Sequence, residues 1–137
     1  MYVQHTTTRP SRKRRGLLTM ELVMVLPILM FMLMGLFEFS FLFLAQGELE
    51  EAAQSGARLA TLQSVQEEDV IAEVQRSLPD RLAQSVSVRA FLGEHSGDEV
   101  IVIVRVPSRA AAPDLLWAIG YSLEGRSVTA ETRMAKE

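Results

Sequence analysis

The sequence predicts an α+β protein in which a long N-terminal transmembrane helix extends into a small domain with a short helix and a three-stranded antiparallel sheet. Three observations predict this fold: an apolar run after residue 16, a second helical stretch near residue 70, and three β-type runs in the C-terminal half. With 137 residues, the chain has room for one compact domain at most. The predicted organisation is a basic cytoplasmic leader (1–16), a transmembrane helix (17–45) and an extracytoplasmic helix with a small α+β domain (46–137).

The leader is distinguished by its charge. Five of the 14 basic residues precede Gly16, where no acidic residue occurs, and four of them form one cluster: Arg12, Lys13, Arg14 and Arg15. The segment has no apolar periodicity, which predicts disorder, and the positive-inside rule places it in the cytoplasm. A nucleic-acid patch is the rival interpretation of such a cluster. Because an apolar run follows directly and the rest of the chain is acidic overall, we expect no nucleic-acid partner.

The apolar run is long enough to cross a membrane. Residues 22–37 are 16 consecutive residues without a charge, and the stretch continues to Ala45 with Glu38 as its one carboxylate. As a helix, residues 22–45 would reach about 36 Å, which exceeds the bilayer core of about 30 Å. A buried core helix is disfavoured because the remaining chain is too short to cover an apolar rod of this length. Glu38 is expected near the outer bilayer surface, in reach of interfacial water, and contact with a partner subunit is the alternative.

Beyond the membrane, Gln46 to about Leu62 is predicted to continue the same helix. Small residues recur there at spacings of three and four, and they include Ala53, Gly56 and Ala60. Such a helix-packing stripe lets another backbone approach closely. That backbone belongs either to the chain's own domain or to a neighbouring subunit, and the sequence leaves both alternatives open.

A short helix is predicted at about Glu67–Leu78. It begins with three acidic residues, which suit the positive end of a helix dipole, and Pro79 should end it. Residues 110–123 are ambiguous: Pro113 can begin a short helix through Leu115–Ile119, which would suit a loop or a helical cover on the sheet.

Three stretches with β-branched and alternating apolar residues predict the strands. Ser85–Leu92 and Glu99–Val106 are separated by six residues typical of a hairpin connection, and Arg126–Met134 is predicted as the third strand. The candidates for the buried face of this third strand are Val128, Ala130 and Met134.

Several kinds of chemistry are excluded or disfavoured. The chain has no cysteine, so disulfides, thiolate ligands and a cysteine nucleophile are excluded. The two histidines, His5 and His95, lie in polar segments and are interpreted as solvated side chains. No nucleophile elbow, zinc-binding helix motif or phosphate-binding loop occurs, which disfavours an enzyme. We therefore expect no catalytic residues, no cofactor, no metal and no small-molecule substrate.

The junction between leader and apolar helix carries the functional information. Gly16 lacks a side chain, so a protease could draw the backbone there into an extended form. Glu21 is an ionisable group near the start of a membrane helix, which costs about 2–3 kcal/mol at depth and marks it as a functional residue. Cleavage between Gly16 and Leu17 would create a positive α-amine that Glu21 could pair with, within one chain or between neighbouring helices. In an uncut chain, Glu21 would instead lie at the interface beside Arg14 and Arg15.

These residues resemble a known family. Gly16–Glu21 is similar to the processing site of type IV pilin-like proteins, in which a prepilin peptidase cuts after the glycine and the fifth mature residue is glutamate. The segments Met20–Leu29, Gly35–Phe39 and Ala52–Ala60 extend this likeness to the TadE family. Met20 and Leu22 depart from the smaller or aromatic residues that the family more often has beside the glutamate.

The resemblance implies a minor pilin-like subunit, a TadE-type pseudopilin, for assembly of a tight-adherence or Flp-type pilus. Its implied partners are a prepilin peptidase, other pilin-like subunits, the pilus assembly platform and the lipid bilayer. The implied location is the bacterial inner membrane, with the N-terminus cytoplasmic and the C-terminal domain outside. The alternative is a single-pass membrane-anchored extracytoplasmic binding or scaffold protein.

Overall fold

The computed structural model describes residues 13–137, and the side chains of all of these except residues 13–15 and 17. Contacts divide the chain into two units, which are separated between Leu33 and Met34. The described part of the first unit is helical, and its described side chains are exposed. The second unit, Met34–Glu137, contains the globular domain.

Helix α1, Lys13–Ala60, is continuous through Pro27. It begins three residues before Gly16, so residues 13–16, which the sequence analysis expected to be disordered, are helical. Lysine and arginine are good helix formers, and no proline interrupts this turn. Residues 1–12 of the predicted leader lie outside the described part of the chain.

Three short helices follow at different points of the globular domain. Helix α2, Glu67–Ser77, confirms the helix predicted there, and the acidic residues of its first turn lie at the positive end of its dipole. Pro79 follows the C-cap of α2 and immediately precedes α3, Asp80–Ala83. Helix α4, Ser108–Ala111, was not predicted.

The sheet has three antiparallel strands in the order β1-β2-β3, as the sequence predicts. Strand β1 is Ser87–Phe91, β2 is Glu99–Pro107 and β3 is Ser127–Ala135. Side chains along a strand alternate between the two faces of the sheet, and on β2 the core-facing set is four fully buried valines: Val100, Val102, Val104 and Val106. On β3, Ala130 is buried and Val128 and Met134 are partly buried, which confirms the predicted face.

The connection between β1 and β2 is held by Asp98. Its Oδ2 accepts hydrogen bonds from the backbone N–H groups of His95, at 2.9 Å, and Glu94, at 3.0 Å. The bond from the His95 amide is the main cause that holds the pKa of the Asp98 carboxyl below its ordinary value. This aspartate therefore fixes the hairpin that brings β1 and β2 together.

The core of the second unit lies between α1, α2 and one face of the sheet. Alanines and Leu49 on α1 face the valines of β2, with Val70 and Val74 of α2 beside them. From Gly35 onward, one face of α1 contacts this domain, although residues up to Ala45 were predicted as membrane span. Residues 35–45 of α1 therefore contact the domain on one face and expose large apolar side chains on the other.

Candidate functional site

The junction residues lie on the exposed first turns of α1. Gly16 and Glu21 are both exposed and helical. Residues 17 and 21 are four positions apart, so they lie on one face of the helix, about 6 Å apart along its axis. An α-amine on Leu17 would therefore be within reach of the Glu21 carboxylate. The side chain of Leu17 itself is outside the described residues.

Access to the Gly16–Leu17 bond requires a change of backbone. A protease binds its substrate in extended form, whereas this bond lies in the first turns of a helix. The first N–H groups of a helix lack intrahelical partners, so a terminal turn opens at little cost. Of the predicted positive cluster, Arg12 lies outside the described residues, as do the side chains of Lys13, Arg14 and Arg15.

The small-residue stripe is occupied by the chain's own domain. Ala53 and Ala60 are buried, and a Cβ added to Gly56 would come within 2.6 Å of Cγ2 of Val74. The same position lies 3.4 Å from Cγ1 of Val70 and 3.5 Å from Cγ1 of Val102. Of the two alternatives for the stripe, the structure therefore shows packing of α1 against its own helix α2 and strand β2.

Glu38 occupies a site that the sequence analysis did not identify. Glu38 is 0% exposed, and its Oε2 accepts hydrogen bonds from the backbone N–H groups of Leu115, at 2.7 Å, and Leu116, at 2.9 Å. The expectation that Glu38 reaches interfacial water is therefore wrong. A buried carboxyl is stabilised when donors meet it, and here a distant loop supplies two of them.

Gly35 completes this docking site. It lies three residues before Glu38 on the same face of α1, and an added Cβ would be 3.7 Å from Cδ1 of Leu116. The absence of a side chain at Gly35 lets the buried Leu116 side chain lie over the helix while Glu38 holds its amide. Residues 113–123, here named the docked loop, are thus fixed to α1, and they contain a short helix as the sequence allowed.

Further contacts shape the docked loop. It contains the short 3₁₀ helix Leu116–Ile119, which ends at Gly120 with a left-handed backbone (φ 87°). Beyond this turn, the ring of Tyr121 lies 6.1 Å from the ring of Phe39 on α1. The Arg126 guanidinium lies over the Tyr121 ring, 4.7 Å from its centroid, and also donates a hydrogen bond to the Tyr121 hydroxyl.

Polar and charged side chains link the two ends of the docked loop. Asp114 accepts a hydrogen bond from the Ser122 hydroxyl at 3.1 Å and lies 3.7 Å from the Arg109 guanidinium. Two buried oxygens, Glu38 Oε1 and Asp114 Oδ1, have no hydrogen-bond partner among the described residues. Within residues 13–137, no group of three or more histidine, cysteine, aspartate or glutamate residues could hold a metal ion. These contacts hold the docked loop in place against α1.

Comparisons with known proteins agree with the sequence resemblance. Residues 16–58 match the model of the family described as TadE-like protein, which confirms the predicted likeness over that stretch. One helix of the described chain, Leu18–Ala60, contains a stretch long and apolar enough to cross a membrane, which fits a single-pass anchor. Comparisons with curated proteins and with solved structures found no match.

Proposed function

We propose that this chain, with its TadE-like residues 16–58, is a minor pilin-like subunit that assembles into or with a tight-adherence (Flp-type) pilus. The observation that carries the proposal is where the family match begins: its first residue is Gly16, the predicted scissile position. The match then covers Glu21 and the apolar helix. The proposed role is structural, with no catalysis by the chain itself.

The proposed maturation begins with the chain in the bacterial inner membrane, its basic leader cytoplasmic and its C-terminal domain outside. A prepilin peptidase cuts between Gly16 and Leu17, which removes the positive charges that hold the leader in the cytoplasm. The cut exposes a cationic α-amine on Leu17. Pairing of this amine with Glu21, within the chain or on a neighbouring pilin-like subunit, lowers the cost of a carboxylate in lipid and sets the register of assembly.

The processing step is tested by the mass of the chain. Co-expression with a prepilin peptidase is expected to give a mature protein that begins at Leu17, detected by intact mass and N-terminal sequencing. Gly16→Leu should block the cut because a large side chain would occupy the position where the protease draws in bare backbone. A native chain that retains residues 1–16 would support the alternative, a plain membrane-anchored binding or scaffold protein.

The role of Glu21 is tested by its neutral isostere. Glu21→Gln is expected to leave cleavage largely intact and to reduce incorporation into the pilus or its assembly platform at least about tenfold, since an ion pair in lipid is lost. Cross-linking and co-purification from membranes would measure incorporation. Glu51→Gln, at an exposed position farther along α1, is the matched control and should assemble normally. Normal incorporation of Glu21→Gln would show that the pair has no role.

A further inference from the structure

The docked loop presents two large apolar side chains to its surroundings. Trp117 is 70% exposed and Ile119 is 57% exposed, although both belong to the 3₁₀ helix that Glu38 and Gly35 fix to α1. Their neighbour Leu116 is buried against Gly35. The loop therefore has an inner side that docks on α1 and an outer side that carries an indole and an isoleucine. Exposed residues of this size cost free energy in water unless something covers them.

The helix next to this loop is apolar on its outer side as well. Within the second unit, the first turns of α1 expose several large apolar side chains: Leu36, Phe37, Phe39, Phe41, Phe43 and Leu44. The one charged residue between Met34 and Ala45 is Glu38, whose carboxyl is buried under the docked loop. These turns of α1 therefore expose no charge, and the exposed face of the docked loop extends their apolar surface.

The position of the docked loop along α1 indicates what surrounds this apolar surface. About 20 helical residues cross the hydrocarbon core of a bilayer. Counted from Leu18, the first described side chain of the apolar stretch, they end at about Phe37. Gly35 and Glu38 hold the docked loop at these residues, so the loop lies where α1 leaves the hydrocarbon.

The composition of the loop matches such a boundary. Tryptophan and tyrosine concentrate at the interface between lipid and water because their rings combine an apolar body with a polar edge. Tyr121 follows Trp117 by four residues, and its hydroxyl accepts a hydrogen bond at 3.0 Å from the exposed Arg126. Arginine so placed can reach lipid headgroups while its stem lies along apolar surface.

We propose that the docked loop is a second membrane contact, in which Trp117 and Ile119 insert into the headgroup boundary of the outer leaflet beside α1. Glu38 is the positioning residue: by accepting the amides of Leu115 and Leu116, it aims the next residues toward lipid. The contact holds the globular domain against the membrane surface. This inference rests on membrane anchoring by α1 and is independent of cleavage at Gly16.

Trp117 is the only tryptophan of the chain and therefore serves as its own probe. The full chain, uncut, would be reconstituted at one copy per lipid nanodisc, with phosphatidylcholine brominated at a shallow or a deep acyl position. Indole emission is expected to be blue-shifted, quenched more by shallow than by deep bromines, and several-fold less sensitive to acrylamide than a tryptophan in water. Flotation of the same protein with vesicles reports anchoring by α1 separately, so a failure of that premise would be recognised.

A matched probe comes from the other end of the sheet. Phe91 is exposed at 56% and pairs with Ile101, whose partner on β3 is Arg133. This end of the sheet lies where Glu137 contacts Thr61, just past the C-terminus of α1. In the variant Trp117→Phe with Phe91→Trp, the indole should be quenched by acrylamide and untouched by brominated lipid.

Two results would overturn the proposal. Trp117 could be quenched by acrylamide as strongly as the indole placed at position 91, which would leave the loop in water. Alternatively, Trp117 could be shielded from acrylamide only at two or more copies per nanodisc. In that case neither brominated lipid would quench its emission. That second pattern would assign the surface to contact between copies of this chain.

Discussion

Replacement of Gly56 by leucine is expected to lower the free energy of unfolding of the globular domain by about 3 kcal/mol. The reason is a close approach of three elements at one point. A Cβ at this position would lie 2.6 Å from Cγ2 of Val74, closer than real Cβ atoms come to a neighbour, and 3.5 Å from Cγ1 of Val102. Leucine adds three more carbon atoms into the same space, so α2 must move away from α1.

Gly47 provides the matched control for this substitution. It belongs to the same helix, is exposed, and would meet nothing within 4 Å if it carried a Cβ. Gly47→Leu should therefore raise stability by about 0.5–1 kcal/mol, the helix-propensity gain over glycine. Thermal or denaturant unfolding of the full chain in detergent micelles measures both variants. Equal stability of the two would contradict the packing described at Gly56.

A compensating change separates crowding from other effects. Val74→Ala removes the methyl group that the new side chain would meet, so Gly56→Leu should cost less in that background than in the natural chain. Because the measurement uses the isolated chain, it also distinguishes the two roles that a small-residue stripe can have. A loss seen only in assembly, with unchanged unfolding, would assign the stripe to contacts between subunits.

The predictable parts of the fold are those with short-range patterns. Strand β2 could be found because its valines and isoleucines form a β-type run, and α2 because acids begin it and Pro79 ends it. In both cases the residues that decide the structure lie within a few positions of one another. Helix α4 has no such pattern, since its four residues, Ser108–Ala111, are too few for periodicity to show.

The docking site at Glu38 could not be predicted for the opposite reason. Its donors, the amides of Leu115 and Leu116, lie 77 and 78 residues away along the chain and are backbone groups that every sequence offers. In its local sequence, Glu38 is one charged residue within an apolar run, and a position at the membrane interface would explain it. One clue was available: a glycine three residues earlier marks a place where another part of the chain can approach the same helix face.

Removal of the Glu38 carboxyl should therefore free the docked loop. Glu38→Leu keeps the size of the side chain and deletes the acceptor, so two amides in a part-buried or buried site lose their partner, at about 1–3 kcal/mol each. Apolar burial of the new leucine offsets part of this loss, and a net destabilisation of about 2–4 kcal/mol is expected. Glu38→Gln retains a neutral acceptor oxygen and should cost about 1 kcal/mol.

The same denaturant unfolding in micelles measures these variants, and Glu51→Leu is their control. Glu51 is exposed on the same helix and accepts no hydrogen bond among the described residues, so its replacement should change stability by less than about 0.5 kcal/mol. Glu38→Leu should also release Trp117 from its fixed position, which raises the mobility of the indole and weakens its quenching by shallow brominated lipid. If Glu38→Leu unfolds like the natural chain and leaves the Trp117 signal unchanged, then apolar contacts such as that of Leu116 with Gly35 hold the loop without help. If stability rises from Glu38→Leu to Glu38→Gln and then to the natural chain, the hydrogen bonds at Glu38 hold the docked loop on α1.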